Sequence, residues 1–386
     1  MNILLASSSS GSRGGGELYL LYLGKALVQR GHRVSLWASN HSRMDELSNS
    51  FSSFGEVVRA PYKNTYDYAT RPFATCFDLI KTRQIAAEWR RLKPDCIHIN
   101  KQNLEDGLDL LRAAAWAGLP SICTIHLTQA AQYLKARFGA ARDFISRNSL
   151  KQYAGPLVAV VESRGADLEN FLGLERESAR VIPNGVPVFD LAQRDAMRRP
   201  KRDALNVAGG EFLILAIGRM VPQKRPKLFL ELAARIHRKR PQARFLWVGD
   251  GRLSGDWDAW VRENSLEGVI RRAPWQSDVL PFLAAADLFL HTAQYEGLPL
   301  ALLEALSAGL PCALTENLPR EMPFLESVHP IVAGTEDDAW ISRLEEPALL
   351  RRSGQAGREL VQRRFSFERM AESYESLYNA VVSRRP

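Results

Sequence analysis

Residues Tyr295–Gly309 read YEGLPLALLEALSAG, two carboxylates, Glu296 and Glu304, with seven residues between them in a mostly apolar stretch. Pro299 follows a Glu-Gly pair, and proline suits the first position of a helix because it gives up an N–H that would be unsatisfied there. The pattern predicts a loop at Glu296 and Gly297, and Glu304 about one and a half turns into the helix. A helix N-terminus presents free N–H groups and a positive dipole end, which suits a phosphate. A carboxylate on each side of that terminus suits sugar hydroxyls. A surface acid followed by an ordinary amphipathic helix would carry the same letters, so the flanking sequence has to decide.

Working outward, the chain alternates short apolar runs with helical patterns. Strands are predicted at Ile3–Ala6, Val34–Trp37, Cys96–Ile99, Ser121–Ile125, Leu157–Val161 and Arg180–Ile182, with helical patterns at Glu17–Arg30, Phe77–Leu92 and Leu104–Ala117. The series restarts with strands at Phe212–Ile217, Phe245–Val248, Leu288–His291, Cys312–Leu314 and Ile331–Val332. This alternation predicts an α/β fold of two tandem, doubly wound parallel-sheet domains. They cover residues 1–190 and 205–365, joined near 184–210 through the basic polar stretch Asp190–Arg202. A last helix is predicted over 366–383, its apolar positions Met370, Tyr374, Leu377, Tyr378 and Val381 recurring at helical spacing.

At 386 residues, more than one core is expected. No run approaches the ~18 apolar residues of a membrane span. The N-terminal MNILLA lacks a basic head and reads as a buried strand rather than a signal peptide. Four scattered cysteines without a CxxC pair point to neither disulfides nor zinc, and suit a reducing cytoplasm. The net charge of +8 favours anionic partners such as phosphates or an acidic lipid surface. No helix-turn-helix, zinc-finger or aromatic RNA-binding pattern accompanies it, so nucleic acid is not expected.

In open parallel sheets, ligands bind at loops beyond the carboxyl ends of strands. The first such loop, GSRGGGE (Gly11–Glu17), opens a helix and can bring backbone N–H groups to a ligand. It lacks the G-x-G-x-x-G spacing, with Tyr19 where the last glycine would stand, which argues against a dinucleotide enzyme. A flexible turn is its plain alternative. The second loop, GRMVPQKR (Gly218–Arg225), puts Arg219 and Lys224 after a strand, where two cations suit a diphosphate without a metal. A solvated basic loop is the alternative there. His126 follows the strand Ser121–Ile125, again at a carboxyl end. Asp256-Trp257-Asp258 is the lone Asp-x-Asp pair, and its acids suit a helix start as well as a metal. The basic amphipathic stretch Ala131–Lys151 suits an anionic membrane surface or a plain solvated face.

Together these segments resemble the retaining glycosyltransferases of family 4, whose two-domain fold is called GT-B. The resemblance runs from GGGE through TIH (Thr124–His126), VIPNGV, IGRMVPQKRP and FLWVGDG to AADLFLHTAQYEGLPLALLEALSAGLPC and SFERMAESYESLY, essentially the whole chain. It implies two Rossmann-like domains facing a cleft, with the last helix crossing back to the N-terminal domain. A nucleotide-diphosphate sugar would be the donor. Glu304 would bind its ribose and Glu296 its sugar hydroxyls. Arg219 and Lys224 would hold the diphosphate, together with N–H groups around Gly297, Leu298 and Leu300. His126 would reach the transferred sugar, and Gly15 and Gly16 would let the first domain close on donor and acceptor. The resemblance further implies hexosyl transfer, without a metal or cofactor, to a glycan or lipid-linked glycan of the cell envelope, on the cytoplasmic side of the membrane. A nucleotide-sugar epimerase of the same fold and a non-catalytic sugar-nucleotide binder are the rivals. The sequence departs from the family at Thr315–Ser327, TENLPREMPFLES, where paired glycines are usual. Phe51–Phe77 carries no diagnostic match and falls to acceptor recognition.

Overall fold

The computed structural model describes residues 1–11, 14–334 and 338–383. The chain divides into two compact units, one built from residues 1–185 plus the segment from Phe367 onward, the other from Val186–Ser366.

Unit 1 holds seven strands: β1 (Asn2–Ser7), β2 (Arg33–Ser39), β3 (Glu56–Ala60), β4 (Cys96–Lys101), β5 (Ser121–Ile125), β6 (Leu157–Ala159) and β7 (Arg180–Val181). All pair in parallel, in the order β3-β2-β1-β4-β5-β6-β7. The order reverses between β1 and β4, which opens a crevice at their carboxyl ends. Central strands are apolar on both faces because helices cover both. Ile3, Leu5, Ile97 and Ile99 are accordingly buried, alongside Trp37 and Trp89, whose rings meet edge to face at 5.6 Å.

The helix Phe367–Val382 belongs to this unit. It packs on the helix Gly15–Gln29, where Glu375 accepts hydrogen bonds from Arg30 (Nε at 2.8 Å) and pairs with His32 (3.1 Å). Its inward face carries Met370, Tyr374, Leu377 and Tyr378. Two of these tyrosines close a buried polar cluster. His98 Nδ1 lies 2.6 Å from the Tyr378 hydroxyl, His98 Nε2 lies 2.8 Å from Thr124 Oγ1, and Thr124 lies 2.8 Å from the Tyr374 hydroxyl.

Unit 2 holds β8 (Phe212–Ile217), β9 (Ala243–Val248), β10 (Ile270–Ala273), β11 (Leu288–His291), β12 (Cys312–Thr315) and β13 (Ile331–Ala333), all parallel, in the order β10-β9-β8-β11-β12-β13. Its crevice opens between β8 and β11. The core under β8 and β9 is aromatic, with Phe229 stacked on Trp257 at 5.6 Å and edge-on to Trp247.

Three local readings are corrected. The stretch Asp190–Arg202 is not an open linker: Asp190 caps the helix Leu191–Ala204, which belongs to unit 2. Its basic side chains are structural, since Arg198 and Arg202 both bind Asp287 and Arg202 also donates to the Glu211 carbonyl. Pro299 is the residue before the helix Leu300–Ser307 rather than its first member, held by an extended ψ of 113°. The amphipathic stretch is helical only over Gly139–Lys151, because Asp143 turns back to cap the N–H groups of Ala131 and Gln132 at 2.7 and 2.9 Å. No described helix is long and apolar enough to cross a membrane.

Candidate active site

The loop after β8 approaches its neighbours closely. Trp247 Nε1 donates to the Gly218 carbonyl at 2.8 Å, and a Cβ on Gly249 (φ +132) would fall 2.3 Å from that carbonyl oxygen. The glycine of FLWVGDG is therefore required by contact as well as by backbone angle. The same loop is laced to the loop after β11. Thr292 Oγ1 donates to the Lys224 carbonyl at 2.8 Å, Gln294 N–H to the Gln223 carbonyl at 2.8 Å, and Gln223 Nε2 to the Tyr295 carbonyl at 3.0 Å.

This lacing brings Lys224 onto Glu296: Nζ donates to Oε1, and His291 Nε2 lies 3.2 Å from the same oxygen. Glu296 is 5% exposed. Burial pushes its carboxyl pKa up, but the Lys224 charge and the His291 hydrogen bond outweigh burial and hold it at about 2. Burial depresses the His291 pKa despite Glu296 beside it. A neutral His291 therefore donates its Nε2–H to an ionised Glu296. Oε2 has no protein partner among the described residues and can accept from a ligand. The lysine uses one of its three donors here.

Arg219, on the same loop, is exposed, and its guanidinium has no ion pair among the described residues. Gly297, Leu298 and Leu300 are buried around the start of the helix Leu300–Ser307, whose first hydrogen bonds run from Leu302 and Leu303 back to Pro299. N–H groups before that point have no intrahelical acceptor. Glu304 sits on this helix, 1% exposed. The residues read from sequence as donor-binding in unit 2 thus occupy the loops after the neighbouring strands β8 and β11 and the helix Leu300–Ser307 that follows β11.

Arg225 holds these loops. Its Nε donates to the Thr292 carbonyl at 2.6 Å, and its Nη2 to the Ala293 carbonyl at 3.2 Å, Thr315 Oγ1 at 2.9 Å and Asn317 Oδ1 at 3.1 Å. Asn317 Nδ2 in turn donates to the carbonyls of Ala293 and Gln294, at 3.0 and 2.7 Å. The segment that departs from the family's glycine pattern thus reaches the Glu296 loop through side chains. The Asp-x-Asp pair takes no part: Asp258 is gripped by Arg272 through two hydrogen bonds of 2.8 and 2.7 Å. Among the described residues no group of three His, Cys, Asp or Glu side chains is placed to hold a metal ion.

In unit 1, His126 follows β5 and is 8% exposed. Asn100 Nδ2 donates to the Gly16 carbonyl at 3.1 Å, which leaves Oδ1 as acceptor, so His126 Nε2 donates to it at 2.7 Å. Tyr19 packs edge-on to the imidazole at 4.7 Å. Burial pushes the His126 pKa down to about 4. The ring is therefore neutral, with Nδ1 open as an acceptor. Gly16 is buried at the head of its helix and Gly15 is exposed. Ser12 and Arg13 of the GSRGGGE loop lie outside the described residues. His126, Gly15 and Gly16 belong to a different unit from Arg219, Lys224, Glu296 and Glu304.

The buried histidines make acid stability a test of this packing. Burial takes His98 to about 3 and His126 to about 4, from an ordinary 6.5. Unfolded histidine then takes up protons below pH 6.5 that the folded form refuses, so stability is complete above pH 6.5 and falls on acidification. Each group contributes about 1.4 kcal/mol per pH unit. Asp109, which burial raises to about 6, works in the opposite direction below that pH. The pH slope of a His98→Gln variant, compared with wild type by chemical denaturation, cancels that term and should be shallower by one proton below pH 6. Equal slopes would mean that His98 is not buried neutral.

Two family models match the chain, Glycosyltransferase Family 4 over residues 13–188 and Glycosyl transferases group 1 over 197–321. Each model covers less than half of the chain, and both are models of glycosyltransferases. Among its relatives is the UDP-Gal:alpha-D-GlcNAc-diphosphoundecaprenol alpha-1,3-galactosyltransferase of Escherichia coli, 35% identical over 35% of this chain and 36% of that protein. Another is the lipopolysaccharide core biosynthesis glycosyltransferase LpsE of Rhizobium meliloti, 26% identical over 53% of this chain and 59% of that protein. This glycosyltransferase chain thus spans between about a third and three-fifths of the length of these curated relatives. Its fold is GT-B. The structure of Anabaena HepE in complex with UDP and glucose superimposes with a TM-score of 0.77 at 17% identity, over 98% of this chain and 100% of that one.

Sequence reading passed over His291, Arg225 and Asn317. His291 had a usable signal, a titratable residue ending a predicted strand five positions before Glu296. Arg225 stood inside the quoted GRMVPQKR, but its left-handed backbone (φ +49) and its four acceptors are set by tertiary structure.

Proposed function

We propose that the protein is a retaining, metal-independent hexosyltransferase that moves a sugar from a nucleotide-diphosphate donor to a glycan or lipid-linked glycan of the cell envelope, working on the cytoplasmic side of the membrane. The observation that carries this reading is the Lys224–Glu296–His291 arrangement beside the exposed Arg219, at the point where the strand order of unit 2 reverses. The relatives' acceptor and their part in lipopolysaccharide synthesis support the envelope assignment. The UDP and glucose bound by HepE support a nucleotide-sugar donor.

In this reading the bond between the anomeric carbon and the leaving phosphate oxygen breaks, and its electron pair stays on the diphosphate. The acceptor oxygen bonds to the anomeric carbon from the same face, and its proton passes to the departing phosphate. No enzyme base is required. Arg219, the remaining donors of Lys224 and the helix N–H groups take up the charge that grows on the diphosphate. Glu296, ionised at any working pH, accepts from sugar hydroxyls through Oε2. Being fully ionised, it has no proton to donate as an acid. His126 offers Nδ1 to a hydroxyl of the transferred sugar, and Glu304 accepts from the ribose.

A thermal-shift screen of nucleotides and nucleotide sugars identifies the donor, because a ligand that binds only the native state raises its melting temperature. With that donor, Glu304→Ala should bind the free nucleotide about 10- to 100-fold more weakly, the loss of a hydrogen bond to a charged group. Unchanged nucleotide affinity would remove the ribose assignment. A product with inverted anomeric configuration, or activity abolished by a chelator, would overturn the mechanism. Epimerised sugar formed without an acceptor would overturn the transferase reading itself.

A further inference from the structure

Exposed large hydrophobic side chains are not scattered over this molecule. Among the described residues they concentrate between Tyr66 and Phe144 of unit 1, with only Leu174 and Val332 elsewhere. Phe77 is 76% exposed, Ile80 74%, Tyr133 73%, Phe138 66% and Phe144 65%. Their elements adjoin. The helix Pro72–Phe77 packs against both Leu108–Ala117 and Gly139–Lys151, and Arg112 of the former donates to the Cys76 carbonyl at 2.6 Å. Leu79 and Trp116 line one cavity of about 270 Å³ with Ser149 of the helix Gly139–Lys151 and Gln152 just beyond its end. Phe77 and Phe144 on these helices, Ile80 on the helix Leu79–Leu92, and Tyr133 and Phe138 in the turns leading into Gly139–Lys151 form a patch rather than isolated surface residues.

The exposed charge of the stretch 131–151 is of one sign, and the acid of the other segment, Asp78, is half-buried and accepts from the Lys81 N–H at 3.0 Å. Lys135, Arg137, Arg147 and Lys151 are exposed among these rings. The nearest acid in that stretch, Asp143, is buried as the cap of Ala131 and Gln132, and Arg142 is taken up by Glu105. Arg83 stacks on Trp116 and Arg137 on Phe138, so the cations and rings are presented side by side. Rings that insert among lipid headgroups, beside cations that form no ion pair among the described residues, match an anionic bilayer surface.

We propose that this face of unit 1, formed by the segments 72–83 and 131–151, docks the protein on an anionic membrane surface. It needs neither donor nor acceptor, so it stands or falls apart from the transferase reading. It reaches beyond the basic stretch Ala131–Lys151 in that Phe77 and Ile80, a distant segment, supply apolar anchors.

The test is co-sedimentation of the full chain with vesicles. Wild type should sediment with vesicles of phosphatidylglycerol in phosphatidylcholine, stay in solution with phosphatidylcholine alone, and release as salt is raised. The pair Ile80→Ser and Phe144→Ser should lose about tenfold or more in partitioning, and so should the pair Lys135→Glu and Arg147→Glu. All four positions are outside the core; if the apolar pair nonetheless unfolds, the charge-reversal pair carries the test. Wild type that ignores anionic vesicles, or charge-reversed protein that sediments like wild type, would overturn the proposal. So would an apolar variant that turns a wild-type dimer into a monomer, by analytical ultracentrifugation, with vesicle binding unchanged. That result would make the face a contact between copies of the chain.

Discussion

Replacing Lys224 with alanine should lower the transfer rate by about 100- to 1,000-fold, the usual cost of removing one preorganised donor to developing negative charge. Two losses combine. The diphosphate loses a cation where its charge grows, and Glu296 loses the charge that keeps it ionised despite burial. With His291 as its one remaining partner, the carboxyl pKa should climb, because burial then acts with less opposition. The variant's residual activity should therefore fall at a higher pH than the wild type's. A buried carboxylate that has lost its countercharge also costs about 1–3 kcal/mol of stability. Adding Glu296→Gln should restore much of that stability without restoring rate, which separates the structural from the chemical role. Steady-state kinetics and thermal unfolding of the two single variants and the double variant measure all three terms. Wild-type-like turnover in the lysine variant would remove the phosphate assignment.

Arg225→Ala should be nearly as damaging, although Arg225 is proposed to touch no substrate. It fixes the position of the Thr292–Glu296 loop through four acceptors, and a displacement of 1 Å in a reacting geometry costs on the order of 100-fold in rate. Stability should fall by about 2–4 kcal/mol as buried acceptors lose their donor. Lysine should not rescue the variant, because an ammonium cannot fork to the Thr292 carbonyl and Asn317 together. Glycine relieves a left-handed backbone worth about 1 kcal/mol, yet it leaves the loops untied. The diagnostic pattern is a fall in kcat with affinity for the free nucleotide unchanged, because the loop reads the sugar and not the base. A matching fall in nucleotide affinity would mean general collapse of the site instead.

The central strands could be read from sequence because they are buried on both faces and hence continuously apolar. Ser121–Ile125, Phe212–Ile217 and Leu288–His291 have the boundaries expected of them. The edge strands Glu56–Ala60 and Ile270–Ala273 were not read, because EVVRA and IRRA are short, half-exposed and charged. Edge strands need no more, being flanked on one side only. The helix Leu191–Ala204 hid behind its arginines and the internal Pro200, and it is held by Asp287 from 85 residues away. Within the site the pattern repeats. Glu296, Lys224 and Arg219 announce themselves as charged residues after strands. His291 and the Arg225–Asn317 clasp act through contacts between loops that no local spacing encodes.

The cluster of His98, Thr124, Tyr374 and Tyr378 has a consequence for biosynthesis. The ribosome makes β4 and β5 long before it makes the tyrosines that satisfy them, and all of Val186–Ser366 emerges in between. The unit begun first is thus completed last, while the unit begun second has its whole sequence available earlier. A nascent chain halted before Tyr374 would hold one finished lobe and one with an open polar seam against Gly15–Gln29. That seam is where a chaperone would gain most by binding during translation.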